Sequence, residues 1–196
     1  MTETTYALIE VALIELNSGT VRNMREALAQ LGVRNVHVHS STVGLAGAIG
    51  EQSPDLVIVD VDAPALEGFK VIQRLRCDPS LPNPFVCIIA TAEQPTAALL
   101  HKVDNSGADA LLVKPFARKQ LVDMVHGLIA GRKPFGVSSD YIGPDRRKHP
   151  REDASVPTLN APNTLRAKAT GHLEPQRGPR PHRQRRGVAE RAQGPE

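Results

Sequence analysis

Five short apolar runs, separated by segments with helical spacing of apolar residues, set the strongest limit on how this chain can fold. A strand covered by helices on both faces is apolar at consecutive positions, as in Leu56 to Val59. Alternating strands and helices are typical of an α/β domain with a parallel sheet. The predicted strands are Tyr6 to Leu16, Asn35 to Ser40, Leu56 to Asp60, Phe85 to Ala90 and Ala110 to Val113.

Helices are predicted between these strands. The first has a buried stripe with spacings of three, four and three residues, and Ser18 or Thr20 is its candidate N-cap. Its stripe is Val21, Met24, Leu28 and Leu31. The last helix repeats the spacing at Leu121, Val125 and Leu128. Shorter helices are predicted at 43–49, 69–75 and 96–103. The second strand alternates histidine and valine, which predicts an edge strand with one polar face.

Charge divides the chain of 196 residues into two parts. Residues 1–131 contain 10 Lys and Arg against 14 Asp and Glu, whereas residues 132–196 contain 14 against 7. The first part has enough apolar residues in periodic segments for a single-domain core. From Pro150 onward the chain has no aromatic residue, so it cannot offset the entropy of ordering by apolar burial. We therefore predict a folded domain over 1–131 and a basic tail, largely disordered, over 132–196.

The sequence has neither a secretory signal nor an apolar run that approaches the roughly 18 residues of a membrane span. We expect a cytoplasmic protein that does not insert into a membrane. Cys77 and Cys87 have no metal-ligand spacing, and Cys87 lies within an apolar run, where a thiol packs as a small hydrophobe.

Chemically active residues lie where three of the apolar runs stop. Asp60 ends the third run, Thr91 follows the fourth, and Lys114 follows the fifth. In an open parallel sheet the functional crevice lies beyond the carboxyl ends of the strands. The sequence therefore predicts that an acid, a hydroxyl and an amine meet at one edge of the sheet.

These spacings resemble the receiver domain of bacterial two-component response regulators over roughly residues 7–131. The resemblance rests on Asp60 with Pro64 and Gly68, on Thr91-Ala92 and on Lys114-Pro115-Phe116. It implies a flavodoxin-like, doubly wound sheet of five parallel strands in the order 2-1-3-4-5. It also implies a cis bond between Lys114 and Pro115.

The resemblance implies that Asp60 accepts a phosphoryl group from a histidine kinase or a histidine phosphotransferase. Lys114 would neutralise charge and the Thr91 hydroxyl would donate to a phosphoryl oxygen, because phosphoryl transfer depends mainly on positioning and charge neutralisation. The protein would then be a signalling receiver that acts on a downstream protein target, and not an enzyme.

The family's Mg²⁺ site is altered in this sequence. Anchoring the first helix on Thr20-Val21-Arg22 puts Leu16 and Asn17 where the family usually has two acids. Mg²⁺ prefers oxygen ligands and usually carboxylates, so we predict weak binding by Asp60, Asn17 and Asp62. The Asp62 side chain could restore some of the lost negative charge, and Glu15 could do so too if the register were one residue shorter.

Two further features depart from a simple receiver. Leu111 stands three residues before Lys114, where receivers commonly have an aromatic residue that switches rotamer. The end of the tail carries six arginines, which could neutralise nucleic-acid phosphates, but it has no aromatic residues for stacking on bases. These are Arg177, Arg180, Arg183, Arg185, Arg186 and Arg191. A nucleic-acid partner is therefore not favoured, and tethering to the acidic domain explains the arginines equally simply.

Two short elements of the tail allow other readings. Tyr141 to Arg147 combines turn and charge character, as in either a docking motif or a solvated linker. Arg147 to Arg151 resembles the RxxxR opening of PilZ domains, which bind cyclic di-GMP. However, only 45 residues follow Arg151, without that family's downstream motif.

Two functional hypotheses follow. The first is a phosphorylation-controlled receiver, favoured by Asp60, Thr91 and Lys114. The second is a degenerate receiver that binds partners independently of phosphorylation, favoured by Leu16, Asn17 and Leu111, with a tail that could contact nucleic acid or a nucleotide.

Overall fold

The structure, a computed structural model, describes residues 6–41, 45–138, 141–146 and 158–171. The strands are β1 (Glu10–Ile14), β2 (Asn35–His39), β3 (Leu56–Asp60), β4 (Cys87–Ala92), β5 (Ala110–Val113), β6 (Phe135–Val137), β7 (Ile142–Pro144) and β8 (Thr158–Leu159). The helices are α1 (Ser18–Gln30), α2 (Leu45–Gln52), α3 (Gly68–Cys77), α4 (Ala97–Ser106), α5 (Arg118–Ala130) and α6 (Thr164–Thr170). Short 3₁₀ turns lie at Tyr6–Leu8 and Pro64–Leu66.

The first five strands form one parallel sheet in the order β2-β1-β3-β4-β5. This confirms the predicted fold and strand order. The predicted edge position of the second strand is also confirmed, since β2 ends the sheet and none of its residues is fully buried. Asp60 at the end of β3 is in register with Thr91 in β4.

Two apolar layers cover the sheet. On one face α1, α5 and α6 pack against the strands, and Met24, Leu28, Leu121 and Val125 form part of that core. On the other face α2, α3 and α4 pack against alternate strand residues such as Val57. Coverage of both faces explains why β3 and β4 are buried at every position.

The first and fourth strands differ from their predicted bounds. The predicted first strand, Tyr6 to Leu16, begins with a 3₁₀ turn, so β1 covers only its middle. β4 continues through Ala92, which places Thr91 within the strand and not after it. The later end of β4 arises from tertiary pairing, because β4 follows its partners β3 and β5 in register beyond its apolar run.

Part of the predicted tail is regular structure and extends the folded unit beyond Gly131. β6 pairs with β7 and β8 in an antiparallel sheet, and α6 packs on α5. Phe135 and Leu165 are completely buried. This burial corrects the prediction of a largely disordered tail for residues 132–138, 141–146 and 158–171. The rest of that tail, including the six arginines and Arg147 to Arg151, lies outside the described residues.

The described residues after Gly131 are here called the extension. A buried ionic cluster anchors the extension at the edge of the five-stranded sheet where the strands begin, here called the amino-terminal edge. The side chain of Asp109, 2% exposed, lies between two guanidinium groups: Arg76 at 3.1 Å and Arg132 at 2.8 Å. Both guanidinium groups also stack on the ring of Phe135, at 5.3 and 4.5 Å from its centroid. Burial lowers the pKa of Arg76 to about 10, so Arg76 keeps its charge at neutral pH because Asp109 opposes that effect.

A second acid at the same edge also takes its cation from the extension. Asp55 is 2% exposed and accepts a hydrogen bond from the backbone N–H of Glu10. Nζ of Lys168 in α6 lies 2.7 Å from Oδ2 of Asp55, the same oxygen that accepts this bond. Next to this pair, burial raises the pKa of Cys87 to about 12, and its thiol donates to Asn163 Oδ1 at 3.6 Å. The Cys87 thiol is therefore part of the packing.

Among the described residues, no helix has both the length and the apolar character needed to cross a membrane.

Candidate functional site

The predicted strand-end residues meet at the carboxyl edge of the sheet. Lys114 directly follows β5, and its Nζ lies 3.0 Å from Oδ2 of Asp60 at the end of β3. Thr91 lies beside Asp60 in the neighbouring strand. The peptide bond between Lys114 and Pro115 is cis, as the resemblance implies. An acid, a hydroxyl and an amine thus share one crevice.

Glu15 is the fourth member of this crevice. It directly follows β1 and is 2% exposed. Its Oε2 accepts from Lys114 Nζ at 3.2 Å, and its Oε1 accepts from the backbone N–H groups of Leu16 and Asn17, both at 2.9 Å. These bonds fix the carboxylate at the strand end, so β1 contributes an acid to the crevice.

This placement corrects the predicted acid pair. Asn17 is the N-cap of α1, and its Oδ1 accepts from the backbone N–H of Thr20 at 3.0 Å. Leu16 is 47% exposed. The side-chain oxygen of Asn17 therefore caps a helix, and the alternative register, in which Glu15 supplies the carboxylate, describes the structure. Asn17 also replaces Ser18 and Thr20 as the cap.

Asp62 organises the loop around the acceptor through its backbone and its side chain. Its N–H donates to Oδ1 of Asp60 at 3.0 Å, which holds the Asp60 carboxylate in one orientation. Its own Oδ2 accepts from the backbone N–H of Glu93 at 2.6 Å. The Asp62 side chain thus ties the loop after β3 to the loop after β4.

Gly68 allows α3 to begin directly against the acceptor. A Cβ atom at this position would lie 2.2 Å from the backbone oxygen of Asp60 and 2.9 Å from Cα of Val61. Real Cβ atoms do not approach backbone atoms so closely, so any side chain here would displace α3 or Asp60. Close packing of α3 against Asp60 therefore requires the glycine of the predicted motif.

Thr91 is fully buried, and its Oγ1 has no hydrogen-bond partner among the described residues. A buried hydroxyl without a partner costs about 1–3 kcal/mol, and native proteins rarely leave one without a reason. Since Asp60 is its register neighbour, the free hydroxyl lies where a group added to that carboxylate would need a donor.

The charges in the crevice do not balance. Two carboxylates, Glu15 and Asp60, share one ammonium group. Burial lowers the pKa of Lys114, but the hydrogen bonds and charges of Asp60 and Glu15 outweigh this effect, and the net pKa lies above the usual 10.5. The crevice therefore keeps a charged lysine and one excess negative charge at neutral pH.

This donor set suits a hard cation. Mg²⁺ takes oxygen ligands and is typically held by one or two carboxylates. Glu15 and Asp60 provide two, and the excess negative charge favours a cation. In the part of the chain that the structure describes, no group of three His, Cys, Asp or Glu side chains forms a metal site. Glu15 and Asp60 are therefore the residues that could hold such a cation.

Other singled-out residues lie apart from this chemistry. Leu111 is half-buried and packs with the core on the α3 and α4 face. A cleft of about 390 Å³ lies between α3 and α4 and is lined in part by Phe69, Lys102 and Tyr141. None of the four crevice residues lines it.

Sequence reasoning gave Glu15 only as an alternative, although a clear signal points to it. The apolar run Val11 to Ile14 ends directly before Glu15, which is the rule that selected Asp60 and Lys114. Anchoring on the first helix misplaced the acid because Asn17, and not a later residue, caps that helix.

Comparison with known proteins agrees with this architecture. A family model described as the response regulator receiver domain matches residues 11–126. The DNA-binding response regulator MtrA of Mycolicibacterium paratuberculosis is 36% identical over 78 residues, which cover 40% of this chain and 32% of that protein. The transcriptional regulatory protein PrrA of Mycobacterium bovis is 33% identical over 101 residues, covering 48% and 40%. The matched region thus spans at most two fifths of these relatives.

Solved structures share the fold. The Vibrio cholerae chemotaxis protein CheY4 superposes with a TM-score of 0.55 at 19% identity, covering 62% of this chain and 98% of that chain. The response regulator RPA3017 of R. palustris gives a TM-score of 0.51 at 23% identity, covering 62% and 91%. These structures match 62% of this chain and 98% and 91% of their own length. They therefore share the fold of one domain with it.

Proposed function

The chain belongs to the response regulator receiver family, and from this premise we propose that Asp60 accepts a phosphoryl group and that its phosphorylation controls contacts with a partner protein. Receiver domains are the phosphoryl-accepting components of two-component signalling. The residues proposed to act with Asp60 are Lys114, Thr91 and Glu15.

The observation that carries this proposal is the unpartnered hydroxyl of Thr91 beside a lysine-paired carboxylate. A phosphoryl group on Asp60 would bring oxygens that accept from this hydroxyl and from Lys114. Charge-assisted hydrogen bonds of this kind are about twice as strong as neutral ones. The same two donors would stabilise the charge that spreads over the phosphoryl oxygens during transfer.

The chemical step is a transfer between two covalent partners. A carboxylate oxygen of Asp60 attacks the phosphorus of a phosphohistidine, an acyl phosphate bond forms, and the nitrogen–phosphorus bond breaks. The electron pair stays on the histidine nitrogen, which takes a proton. A carboxylate needs no general base for this attack at neutral pH. Lys114 would pass from Oδ2 of Asp60 to a phosphoryl oxygen.

Receiver domains generally bind Mg²⁺ at the phosphorylation site, where it neutralises phosphoryl charge. In this chain Glu15 and Asp60 would hold it. Leu16 supplies no ligand, and the Asn17 oxygen caps α1. We therefore propose weak binding of Mg²⁺ by the two carboxylates, in place of the predicted set of Asp60, Asn17 and Asp62.

A receiver needs a phosphodonor, and we propose a histidine kinase or a histidine phosphotransferase. We also propose that the protein signals by binding a protein target and does not turn over a substrate. MtrA carries the description DNA-binding, but its matched region is 32% of that protein, so we propose no nucleic-acid target on that ground.

The proposal is tested by incubating the purified full chain with acetyl phosphate and Mg²⁺ and measuring its intact mass. We expect a gain of one phosphoryl group. Asp60→Ala should abolish the gain, whereas Asp123→Ala, which removes an exposed acid on α5, should retain it. No gain in the wild type across a wide Mg²⁺ range would refute the proposal and leave the phosphorylation-independent binding module as the better hypothesis.

The cation ligands are separated by a second measurement. The Glu15→Gln and Asn17→Ala variants are titrated with Mn²⁺ in place of Mg²⁺. Electron paramagnetic resonance measures the Mn²⁺ that is bound. We expect Glu15→Gln to weaken Mn²⁺ binding by about tenfold or more, since loss of even a hydrogen-bonding partner of a metal ligand typically costs about 10–100-fold in affinity. Asn17→Ala should keep the affinity while destabilising α1 by about 1 kcal/mol. The reverse pattern would identify Asn17, and not Glu15, as the cation ligand.

A further inference from the structure

The segment Tyr141–Arg146, here called the strap, is a compact docked element of the extension. The Tyr141 hydroxyl donates to the backbone oxygen of Pro144 at 2.8 Å, and the N–H of Asp145 donates to Pro134 at 2.7 Å. The Arg146 guanidinium stacks 4.0 Å from the centroid of the Tyr141 ring and donates to Asn105 in α4. The hydrogen bond between Arg146 and Asn105 thus joins the strap to α4.

Two glycines bring the strap into backbone contact with the loop between α4 and β5. A Cβ atom at Gly143 would lie 2.6 Å from Cα of Gly107. A Cβ atom at Gly107 would lie 2.6 Å from the backbone oxygen of Ile142, and Gly107 has a φ of +91°, in the left-handed region that favours glycine. Only glycine allows this approach at both positions.

In the sequence, the residues that the strap contacts lie between two residues of the crevice. Thr91 in β4 and Lys114 after β5 are joined by α4, and the strap contacts this connection at Asn105 and Gly107. Two residues later, Asp109 binds both Arg132 of the extension and the backbone N–H of Ile88 in β4. The extension therefore contacts both β4 and the start of β5. These strands lead to Thr91 and Lys114, the proposed hydrogen-bond donors to the phosphoryl group.

We propose that docking of the strap on α4 and the Gly107 loop is coupled to phosphorylation of Asp60, so that the docked strap favours the unphosphorylated arrangement. This inference rests on the proposed function. In the structure Lys114 pairs with Asp60 and Glu15 while the strap is docked. A phosphoryl group would draw Thr91 and Lys114 to its own oxygens and shift the strands on either side of α4.

Coupling of this kind is reciprocal. If phosphorylation weakens docking of the strap, loss of docking must strengthen binding of a phosphoryl group or its analogue by the same factor. Typical coupling factors begin at about fivefold. The strap would then restrain the receiver when no phosphoryl group is present.

The variant that loosens the strap is Gly143→Ala, because its Cβ would collide with backbone atoms. Gly127→Ala is the matched control, since its Cβ on α5 would meet no atom within 4 Å. Arg146→Ala is a milder second variant that removes the stack on Tyr141 and the bond to Asn105 without a collision. It keeps the test valid if Gly143→Ala does not fold.

The test measures the full chain in two ways. Hydrogen exchange of residues 141–146, followed by mass spectrometry, should become faster by fivefold or more when beryllium fluoride and Mg²⁺ are added as a phosphoryl analogue. The affinity for beryllium fluoride, measured by fluorine NMR, should rise about fivefold in Gly143→Ala, less in Arg146→Ala, and not in Gly127→Ala.

The outcomes separate this inference from the proposed function. Phosphorylation by acetyl phosphate, together with unchanged exchange of the strap and an affinity within twofold of wild type in both variants, would overturn the coupling alone. Absence of phosphorylation in the wild type would overturn the proposed function and the coupling together. A slower exchange of the strap on phosphorylation would reverse the sign and also overturn the inference as stated.

Discussion

The two edges of the five-stranded sheet both carry buried acids, but their hydrogen bonds are completed to different degrees. At the amino-terminal edge Asp109 binds two guanidinium groups and a backbone N–H, and Asp55 binds Lys168 and a backbone N–H. At the carboxyl edge Glu15 and Asp60 share Lys114, and the hydroxyl of Thr91 has no partner among the described residues.

This difference separates a structural cluster from a reactive one. At the amino-terminal edge each acid has its own cation, and additional groups such as Phe135 and Cys87 enclose the pairs. At the carboxyl edge one cation, Lys114, pairs with two acids. Binding of a further cation, or addition of a phosphoryl group, would therefore change the charge and the hydrogen bonds of this cluster. Buried charge alone therefore does not identify a site, whereas an incomplete hydrogen-bond network does.

Removal of residues 132–196 should have the largest effect on this comparison. Ending the chain at Gly131 deletes Arg132, Phe135, Leu165 and Lys168, so it removes two cations and two completely buried apolar side chains. Burial of each apolar side chain contributes about 1.5–3 kcal/mol. We expect the free energy of unfolding to fall by about 5 kcal/mol or more, measured by urea denaturation.

A chain that ends at Gly171 is the control for this deletion, because it keeps all of the described contacts. It should match the full chain within about 1 kcal/mol, the range of ordinary surface changes. Equal stability of the chain ending at Gly131 would show that the amino-terminal edge does not need the extension.

The next largest effect should distinguish Asp109 from Asp60. Asp109→Asn leaves Arg76 and Arg132 buried without their anion, and breaking a buried pair costs about 3–5 kcal/mol. Asp60→Asn leaves Lys114 paired with Glu15, so no buried charge loses its only partner and the cost should be well below that of Asp109→Asn. Urea denaturation of both variants measures the difference. Similar losses would mean that the two edges are equally structural.

Thr91→Val should have a smaller effect of the opposite sign. The substitution replaces an unpartnered buried hydroxyl with a methyl group of similar shape, which removes a desolvation cost of about 1–3 kcal/mol. We expect equal or greater stability, up to about 1 kcal/mol, in thermal unfolding. Phosphorylation by acetyl phosphate should become slower. A clear loss of stability would indicate that the Thr91 hydroxyl has a partner in solution.

The smallest effect should appear at alkaline pH. The folded-state pKa of Lys114 is raised above 10.5, so its ion pairs contribute fully below pH 10.5 and lose their contribution as the pH rises through the folded-state pKa. Lys114→Met should lack this dependence. The difference in urea midpoint between wild type and Lys114→Met, followed from pH 9 upward, measures it. A difference that grows with rising pH would contradict the assignment.

The sequence was sufficient to predict the five-stranded fold and the meeting of Asp60, Thr91 and Lys114, because buried parallel strands have apolar runs whose ends lie at one edge. It misplaced the acid from β1, since the start of α1 depends on which of several capping residues is used. Asn17, Ser18 and Thr20 all qualify by residue type. Only the packed structure selects Asn17.

The order of the extension could not be read from composition. Residues 132–171 have few apolar side chains, and the prediction weighed only what the segment could bury by itself. Its order depends on long-range partners that a local pattern does not contain: the Phe135 ring contacts two guanidinium groups, and Lys168 pairs with Asp55. The strap has the same character, because Gly143 fits only against Gly107.

The position of Arg132 and Phe135 directly after α5 has a consequence for protein engineering. A chimera that joins this receiver to a foreign output domain at the end of α5 would remove the arginine and the ring that enclose Asp109. Grafts should therefore retain Arg132 through Phe135, or the foreign domain should carry an arginine and an aromatic residue at the same spacing. The useful cut site for building sensors from this chain lies beyond α6.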